Sequence, residues 1–182
     1  MKKLCLILLL VVANASNITA QKLLTRTGKI TFFSSTPIEN IEAINNDVSC
    51  VLNTATGDLI FVVPIKSFRF EKQMMQEHFN ENYMESDKFP KSEFKGKLLD
   101  IASINFSKDG NYPVKTSGQL TIHGVTKEVQ VGGSVLIRNG KPNLNATFKV
   151  KTADYNIKIP TITAGKIAKE IEVTVNCLMN SL

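Results

Sequence analysis

"KEVQVGGSVLIRNG", residues 127–140, alternates apolar and polar side chains along most of its length and ends in an Asn-Gly pair. Alternation with a period of two is typical of a β-strand with one dry face, and Asn-Gly is typical of a tight hairpin turn. The apolar face comprises Val129, Val131, Gly133, Val135 and Ile137. The stretch therefore predicts a long strand that leads into an antiparallel hairpin.

The same pattern recurs along the chain. Its apolar positions are, in chain order, Ile30 and Phe32, then Leu120 and Ile122, then Leu144, Ala146, Phe148 and Val150, and finally Ile171, Val173, Val175, Cys177 and Met179. A further stretch, "GDLIFVVPIKSF", is apolar on both faces. With turn signals such as Thr56-Gly57 and His123-Gly124, the pattern predicts about eight strands with short antiparallel connections. Since little helix is available to cover an open sheet, we expect closure into an eight-stranded antiparallel β-barrel.

One segment departs from this pattern. Residues 66–100 contain no Val, Ile or Thr, and "MQEHFNENYMESDKFP", residues 75–90, is rich in helix-forming residues. Met75, Phe79 and Tyr83 recur at intervals of four, which predicts one amphipathic helix over roughly residues 71–84 with a single apolar stripe. The fold class predicted from the sequence is therefore all-β with one inserted helix.

The N-terminus has the pattern of a secretory signal peptide. Lys2 and Lys3 precede an apolar run, and small and polar residues follow up to Ala20. The run is too short to anchor the chain as a membrane span. We expect residues 1–20 to be removed, leaving residues 21–182 as a single soluble exported domain with no integral membrane segment.

Cysteine content and charge exclude several classes of protein. Cys50 and Cys177 would remain after processing, and they can pair in an oxidising compartment. Two cysteines do not form a disulfide framework, so we expect buried free thiols.

The net charge of +6 is modest. The lysines at 88, 91, 95 and 97 are expected to form a solvated face. An export signal, and the lack of clustered arginine with exposed aromatic residues, argue against nucleic-acid binding.

The two histidines do not form a recognisable active site or metal site. His78 lies near Glu77, Glu81 and Glu85, but a zinc-binding helix needs two histidines four residues apart. His78 is therefore expected to face water. His123 precedes Gly124 in a predicted turn, where a polar side chain satisfies backbone groups. No nucleophile motif accompanies either histidine, so we predict no catalytic residues, no metal and no cofactor.

The segment "MQEHFNENYMESDKFPKSEFKG", followed by "GQLTIHGVTKEV" and "ADYNIKIP", resembles the YceI-like family over essentially the whole processed chain. The resemblance implies a lipocalin-like barrel with a long apolar interior that binds polyisoprenoid or related amphiphilic lipids. It also implies a location in the bacterial periplasm or outside the cell. Two positions depart from the family pattern. Asn156 stands where a glycine is expected, and Lys72 stands where many members carry arginine.

The apolar strand faces and the helix stripe are the predicted lipid pocket. Small residues on the inner faces, including Gly96, Gly133 and Ala146, suggest an elongated cavity at one end of the barrel and a filled core at the other. The predicted pocket residues are Phe32, Phe61, Val63, Ile65, Phe68, Met75, Phe79, Phe94, Leu120, Ile122, Val131, Val135, Phe148, Val150, Val173 and Val175.

The sequence therefore predicts an exported carrier or sequestering protein for an amphiphilic, isoprenoid-type lipid, without chemical turnover. The alternative is a well-packed barrel without ligand that acts as an interaction module, for instance as a homodimer or an envelope stress factor. A third class, a hydrolase or metalloprotein, predicts an activity or bound zinc that depends on His78 and His123.

Overall fold

The computed structural model of the protein describes residues 22–182, so the signal peptide predicted for residues 1–20 lies outside the described residues. The strands are β1 Lys22–Ser35, β2 Asn40–Asn53, β3 Asp58–Pro64, β4 Arg69–Phe70, β5 Lys91–Leu98, β6 Gly110–Ile122, β7 Val125–Arg138, β8 Lys141–Lys151, β9 Glu170–Leu178 and β10 Asn180–Ser181. One α-helix, α1 Gln73–His78, continues as a π-helical segment, Phe79–Tyr83. Short 3₁₀ turns span Ile65–Ser67, Ile101–Ser103, Thr152–Tyr155 and Thr161–Thr163.

Eight long strands form a closed antiparallel ring. Its order is β1-β9-β8-β7-β6-β5-β3-β2, and pairing of β1 with β2 completes the circle. The two-residue strands β4 and β10 add to β2 and β1 outside this ring. The predicted all-β class, the eight-stranded antiparallel barrel and the single inserted helix are confirmed.

Two tight hairpins set the register of the long strands. His123 and Gly124 join β6 to β7 with φ of 50° and 73°, and Asn139 and Gly140 join β7 to β8 with φ of 51° and 69°. Two consecutive positive φ values define the turn whose twist matches that of the flanking strands. Asn156, where the family pattern predicts glycine, also adopts a positive φ, 55°, which asparagine tolerates better than most residues.

β2 breaks the simple alternation rule. Ile30 of β1 faces Asn45 and Gly28 faces Val48, so β2 carries an extra residue between these two pairs. The bulge shifts the apolar parity of β2 in mid-strand. Asn45 is fully buried, and its amide donates a hydrogen bond to the Pro64 carbonyl (2.7 Å). Because of the bulge and the buried polar side chain, the sequence of this strand does not show a regular period-two pattern.

The inserted helix follows the predicted stripe. Met75, Phe79 and Tyr83 are half-buried, whereas Met74 and Glu77 are exposed. The Met84 N–H donates to the Phe79 carbonyl (2.8 Å), which widens the last turn to a π-helical one. Within residues 22–182, no helix combines the length and the apolar character needed to cross a bilayer.

The barrel interior is filled at one end. Leu52 and Leu59 lie next to the β2–β3 turn, and Val135 and Ile137 lie next to the β7–β8 turn; all four are at most 3% exposed. These two turns lie at the same end of the barrel, because antiparallel strands alternate in direction. The solid packing there confirms the predicted filled end, and we call it the plug.

Cys50 and Cys177 belong to the plug and are free thiols. The prediction of buried free thiols is therefore confirmed. Burial raises the pKa of the Cys50 thiol far above its usual range and that of the Cys177 thiol to about 12. The thiolate is the reactive form, so both groups are unreactive in the folded protein.

We therefore expect iodoacetamide at pH 8 to leave both cysteines unmodified in the native protein and to alkylate both after unfolding in guanidinium chloride. The raised pKa keeps the thiols protonated at that pH, and packing excludes the reagent. Intact-mass spectrometry measures the outcome. Rapid alkylation of either thiol without denaturant would contradict the packed plug.

Candidate functional site

An apolar cavity lies inside the barrel beyond the plug. Its volume is about 110 Å³. Most of the ring contributes to it: β1 and β3, and all the long strands from β5 to β9. The lining residues are Ile30, Leu59, Phe61, Val63, Ser92, Glu93, Phe94, Leu98, Val114, Thr116, Leu120, Val129, Val131, Gly133, Ser134, Leu144, Asn145, Ala146, Phe148 and Val175.

Small side chains provide the space, as the sequence predicted. Gly133 pairs with Ala146, and both line the cavity. Gly96 has another role: it faces Gly118 across β5 and β6, and a Cβ on either residue would clash with the backbone of the other strand. Of the three small residues named from the sequence, Gly133 and Ala146 therefore leave room for the cavity, on its β7–β8 side.

Seven of the sixteen predicted pocket residues line the cavity. They are Phe61, Val63, Phe94, Leu120, Val131, Phe148 and Val175. Their strands belong to different parts of the chain, and only closure of the barrel brings them together.

The other nine predicted residues lie around the cavity without lining it. Val135 is fully buried in the plug, and Ile65 is 2% exposed just after β3. Ile122, Val150 and Val173 lie near the strand ends opposite the plug. The remaining four, which belong to or face the inserted helix, are Phe32, Phe68, Met75 and Phe79.

The helix packs on the barrel through an aromatic cluster of Phe32, Phe68, Phe70 and Phe79. The ring centroid of Phe79 lies 5.4 Å from that of Phe32, 5.5 Å from that of Phe68 and 5.0 Å from that of Phe70. Such aromatic pairs stabilise beyond their buried area. The cluster covers the barrel end opposite the plug on the side of β1 and β2, and no cluster residue lines the cavity.

Charge is kept out of the cavity. Glu93 contributes to the wall, but its carboxylate pairs with Lys91 (2.9 Å) and Lys95 (3.3 Å), whose side chains are exposed. The Lys91 ammonium, assisted by that of Lys95, holds the pKa of Glu93 below its usual range. These lysines form part of the solvated face that the sequence predicted. The cavity lining is therefore suited to an apolar ligand.

His123 has partners that sequence spacing did not indicate. Its Nε2 lies 2.8 Å from the Glu85 carboxylate, and its Nδ1 lies 3.2 Å from the Tyr155 carbonyl. The Phe89 ring lies against it at 4.6 Å between centroids. Both polar partners are acceptors, and a ring nitrogen donates to its partner when it carries the proton. We call His123, Glu85 and the Tyr155 carbonyl the clasp.

His78 is exposed, as predicted. Among residues 22–182, no three side chains of His, Cys, Asp or Glu lie close enough together to hold a metal ion. Neither histidine contributes to the cavity lining.

Sequence reasoning missed the clasp and several cavity residues. Glu85 and His123 are 38 residues apart, so no local pattern links them. Glu85 adopts a positive φ of 42°, which is uncommon for a residue with a Cβ and is set by tertiary contacts. Val114 and Thr116 lie on the inner face of β6, and continuing the alternation from Leu120 would have identified them. Val129 was placed on the apolar face of its strand but was not included in the predicted pocket.

The closed antiparallel ring, its filled end and its internal apolar cavity define the protein as a lipocalin-like β-barrel. A family model described as the YceI-like domain matches residues 12–179, and the chain belongs to this family.

Solved structures with the same fold come from several bacteria. A polyisoprenoid-binding domain from Saccharophagus degradans, implicated in plant cell wall breakdown, is 16% identical with a TM-score of 0.78, and the match covers 90% of this chain and 99% of that one. BcnA from Burkholderia cenocepacia is 16% identical with a TM-score of 0.69, over 84% and 96% of the two chains. A YceI protein from Campylobacter jejuni is 21% identical with a TM-score of 0.61, over 81% and 88%. No curated protein matches the sequence.

Replacing Phe79 by Asp is expected to destabilise the fold by about 3 kcal/mol, because it removes three aromatic contacts and places a charge against the barrel. Urea denaturation followed by circular dichroism measures the change. Met74→Asp on the same helix is the matched control, because Met74 is 67% exposed. Equal unfolding midpoints for the two variants would contradict this placement of the helix.

Proposed function

We propose that the protein is an exported carrier or sequestering protein that holds the chain of an amphiphilic, isoprenoid-type lipid in its apolar cavity. The observation that carries the proposal is the internal apolar cavity of the closed barrel. Membership of the YceI-like family and the fold shared with a polyisoprenoid-binding domain support it. The leader pattern of residues 1–20 supports export.

Burial of the chain supplies the affinity. Each buried methylene contributes about 0.8 kcal/mol, so one five-carbon isoprene unit contributes roughly 3 to 4 kcal/mol before the cost of immobilisation. An apolar wall discriminates poorly between ligands that are all apolar. The cavity therefore selects a class of lipid, and the head group contributes little to selection inside the barrel.

The volume of the cavity limits what the closed protein holds. At about 110 Å³ it is smaller than typical small-molecule pockets of roughly 300 to 1,000 Å³. It is of the same order as an engineered cavity of ~150 Å³ that binds benzene. The cavity thus accommodates part of a prenyl chain, and enclosing a longer chain inside the barrel would require the wall to move.

The position of Lys127 supports a location for the polar head group of the lipid at the end of the barrel opposite the plug. It pairs with Leu120, which lines the cavity, and therefore shares the inner face of the barrel, yet it is exposed. A head group held at this end of the barrel would remain in water beside an ammonium group. An anionic head would gain from that charge.

Binding without turnover is part of the proposal. Both ring nitrogens of His123 already contact Glu85 and Tyr155, and His78 lies on the outer face of the helix. Replacing both histidines by alanine is therefore expected to leave lipid content unchanged at equilibrium.

The direct test is to purify the processed protein without detergent, extract it with organic solvent and identify lipids by mass spectrometry. We expect a stoichiometric isoprenoid-type lipid, or its uptake when polyprenols and quinones are offered. Recovery of no lipid under either condition would favour the empty barrel acting as an interaction module.

Filling the cavity gives a sharper test. Ala146→Leu places added methyl groups into the space beside Gly133, so we expect the affinity for a polyprenol to fall at least tenfold, which corresponds to ~1.4 kcal/mol. The matched control is Gln119→Leu, because Gln119 is exposed on the outer face of β6 and does not line the cavity. Fluorescence titration measures both affinities. Unchanged binding by Ala146→Leu, with its fold intact, would show that the lipid lies elsewhere.

A further inference from the structure

The wall of the barrel is split beside the cavity. β7 and β8 pair from Arg138 and Lys141 as far as Gly133 and Ala146, and no pairing between them continues further in the described structure. Beyond that point Val125–Gly132 pairs only with β6, and residues 147–151 pair only with β9. We call the space between these two segments the slot.

Gly133 lies at the base of the slot, where the pairing of the two strands ends. A Cβ on it would clash with the Asn145 carbonyl, so the strands are in close contact at this last pair. Gly132, the next residue, belongs to the outer register and is exposed, and a Cβ on it would point into open space outside the barrel. The backbone pairing therefore ends one residue before an exposed glycine.

The cavity lies directly behind the slot. Val129 and Val131 line it from β7, and Phe148 lines it from β8. The lining also includes Ser134 and Asn145, the cross-strand pair next to the last pair, Gly133 and Ala146. Because these two belong to the outer register of the wall, the cavity reaches the wall itself at the base of the slot.

The clasp spans the other end of the slot. His123 lies in the hairpin that precedes β7, and Tyr155 lies in the turn that follows β8. The hydrogen bond between the His123 Nδ1 and the Tyr155 carbonyl therefore joins the two borders of the slot. Glu85, from the loop after the helix, holds the other ring nitrogen, and the imidazole is only 9% exposed.

We propose that the lipid chain enters and leaves the cavity sideways through the slot, and that the clasp controls how readily the slot opens. This inference rests on the proposed function. The plug blocks the opposite end, where Leu52 and Val135 are fully buried. His123 is a positioning residue, because it does not line the cavity and acts on the two borders of the slot.

The hydrogen bonds around the ring favour the slot over every other route through the wall. The other strands next to the cavity are paired, so separating them breaks backbone hydrogen bonds that water only partly replaces. The pairing of β2 with β3 also stops beside the cavity, at Ser49 and Val62, but there the buried Asn45 amide donates to the Pro64 carbonyl across the gap. Widening the slot breaks no ladder bonds and needs only release of the clasp. Enclosing a long chain in so small a cavity would also require such widening.

Cross-linking the slot tests the route. Gly132 and Thr147 are the first facing positions beyond the last pair, so Gly132→Cys with Thr147→Cys places a disulfide, or a short bismaleimide bridge, across its base. The native cysteines are buried and do not interfere. The control joins paired strands, with Lys97→Cys and Ser117→Cys in β5 and β6.

The probe is a fluorescent geranylgeraniol analogue transferred from phosphatidylcholine vesicles. We expect transfer to slow at least tenfold in the cross-linked slot variant, to recover when the disulfide is reduced, and to stay at the wild-type rate in the control. Equal rates with and without the bridge would overturn the slot as the route. No binding by the wild-type or reduced protein would instead overturn the proposed function on which the route depends.

Removing the clasp tests its role. His123→Asn retains a residue that tolerates the positive φ of the turn but is too short to reach both partners. We expect uptake and release each to accelerate at least threefold with equilibrium affinity unchanged, because the clasp affects the path and does not contact the chain. His78→Asn, on the exposed helix face, is the control. Wild-type exchange rates in His123→Asn, or a change in affinity alone, would refute the clasp.

Discussion

Closure of the backbone hydrogen-bond ring is the constraint on which the rest of this structure depends. Pairing of β1 with β2, which joins the ends of the eight-strand order, turns an amphipathic sheet into a tube. One face of each strand then lies inside by geometry, and sheet edges disappear except where pairing stops. The interior is dry because its side chains are apolar, and it has a defined volume because the ring has a defined number of strands.

Within that ring, side-chain size divides the interior into a filled part and an empty part. Large aliphatic residues such as Leu52 and Ile137 close the plug end, whereas Gly133 and Ala146 leave space further along the same wall. The same small residues lie where β7 and β8 separate. The cavity and the end of the β7–β8 pairing therefore lie at the same place in the wall.

The inserted helix and the hairpin of His123 stabilise the barrel in different ways. The aromatic cluster attaches the helix to β1 and to the segment after β3 by apolar contact, which is insensitive to direction. The clasp joins three distant segments by directional hydrogen bonds, each of which depends on the position of a single ring. Apolar packing of the helix favours an attachment that stays closed. The hydrogen bonds of the clasp favour a contact that opens and closes.

Period-two alternation, the Asn-Gly and His-Gly turns and the Met75–Phe79–Tyr83 stripe determined the strands, two hairpins and the helix from the sequence by itself, because these signals arise from neighbours along the chain. β2 was not identified in this way, since its bulge after Asn45 changes parity and its buried amide is satisfied by a distant carbonyl. Seven of the predicted pocket residues line the cavity. Which of the predicted residues do so depends on which strands face one another in the closed barrel. Only the tertiary structure decided the cavity's limits, the slot and the pairing of His123 with Glu85, because each results from contacts between residues far apart in the chain.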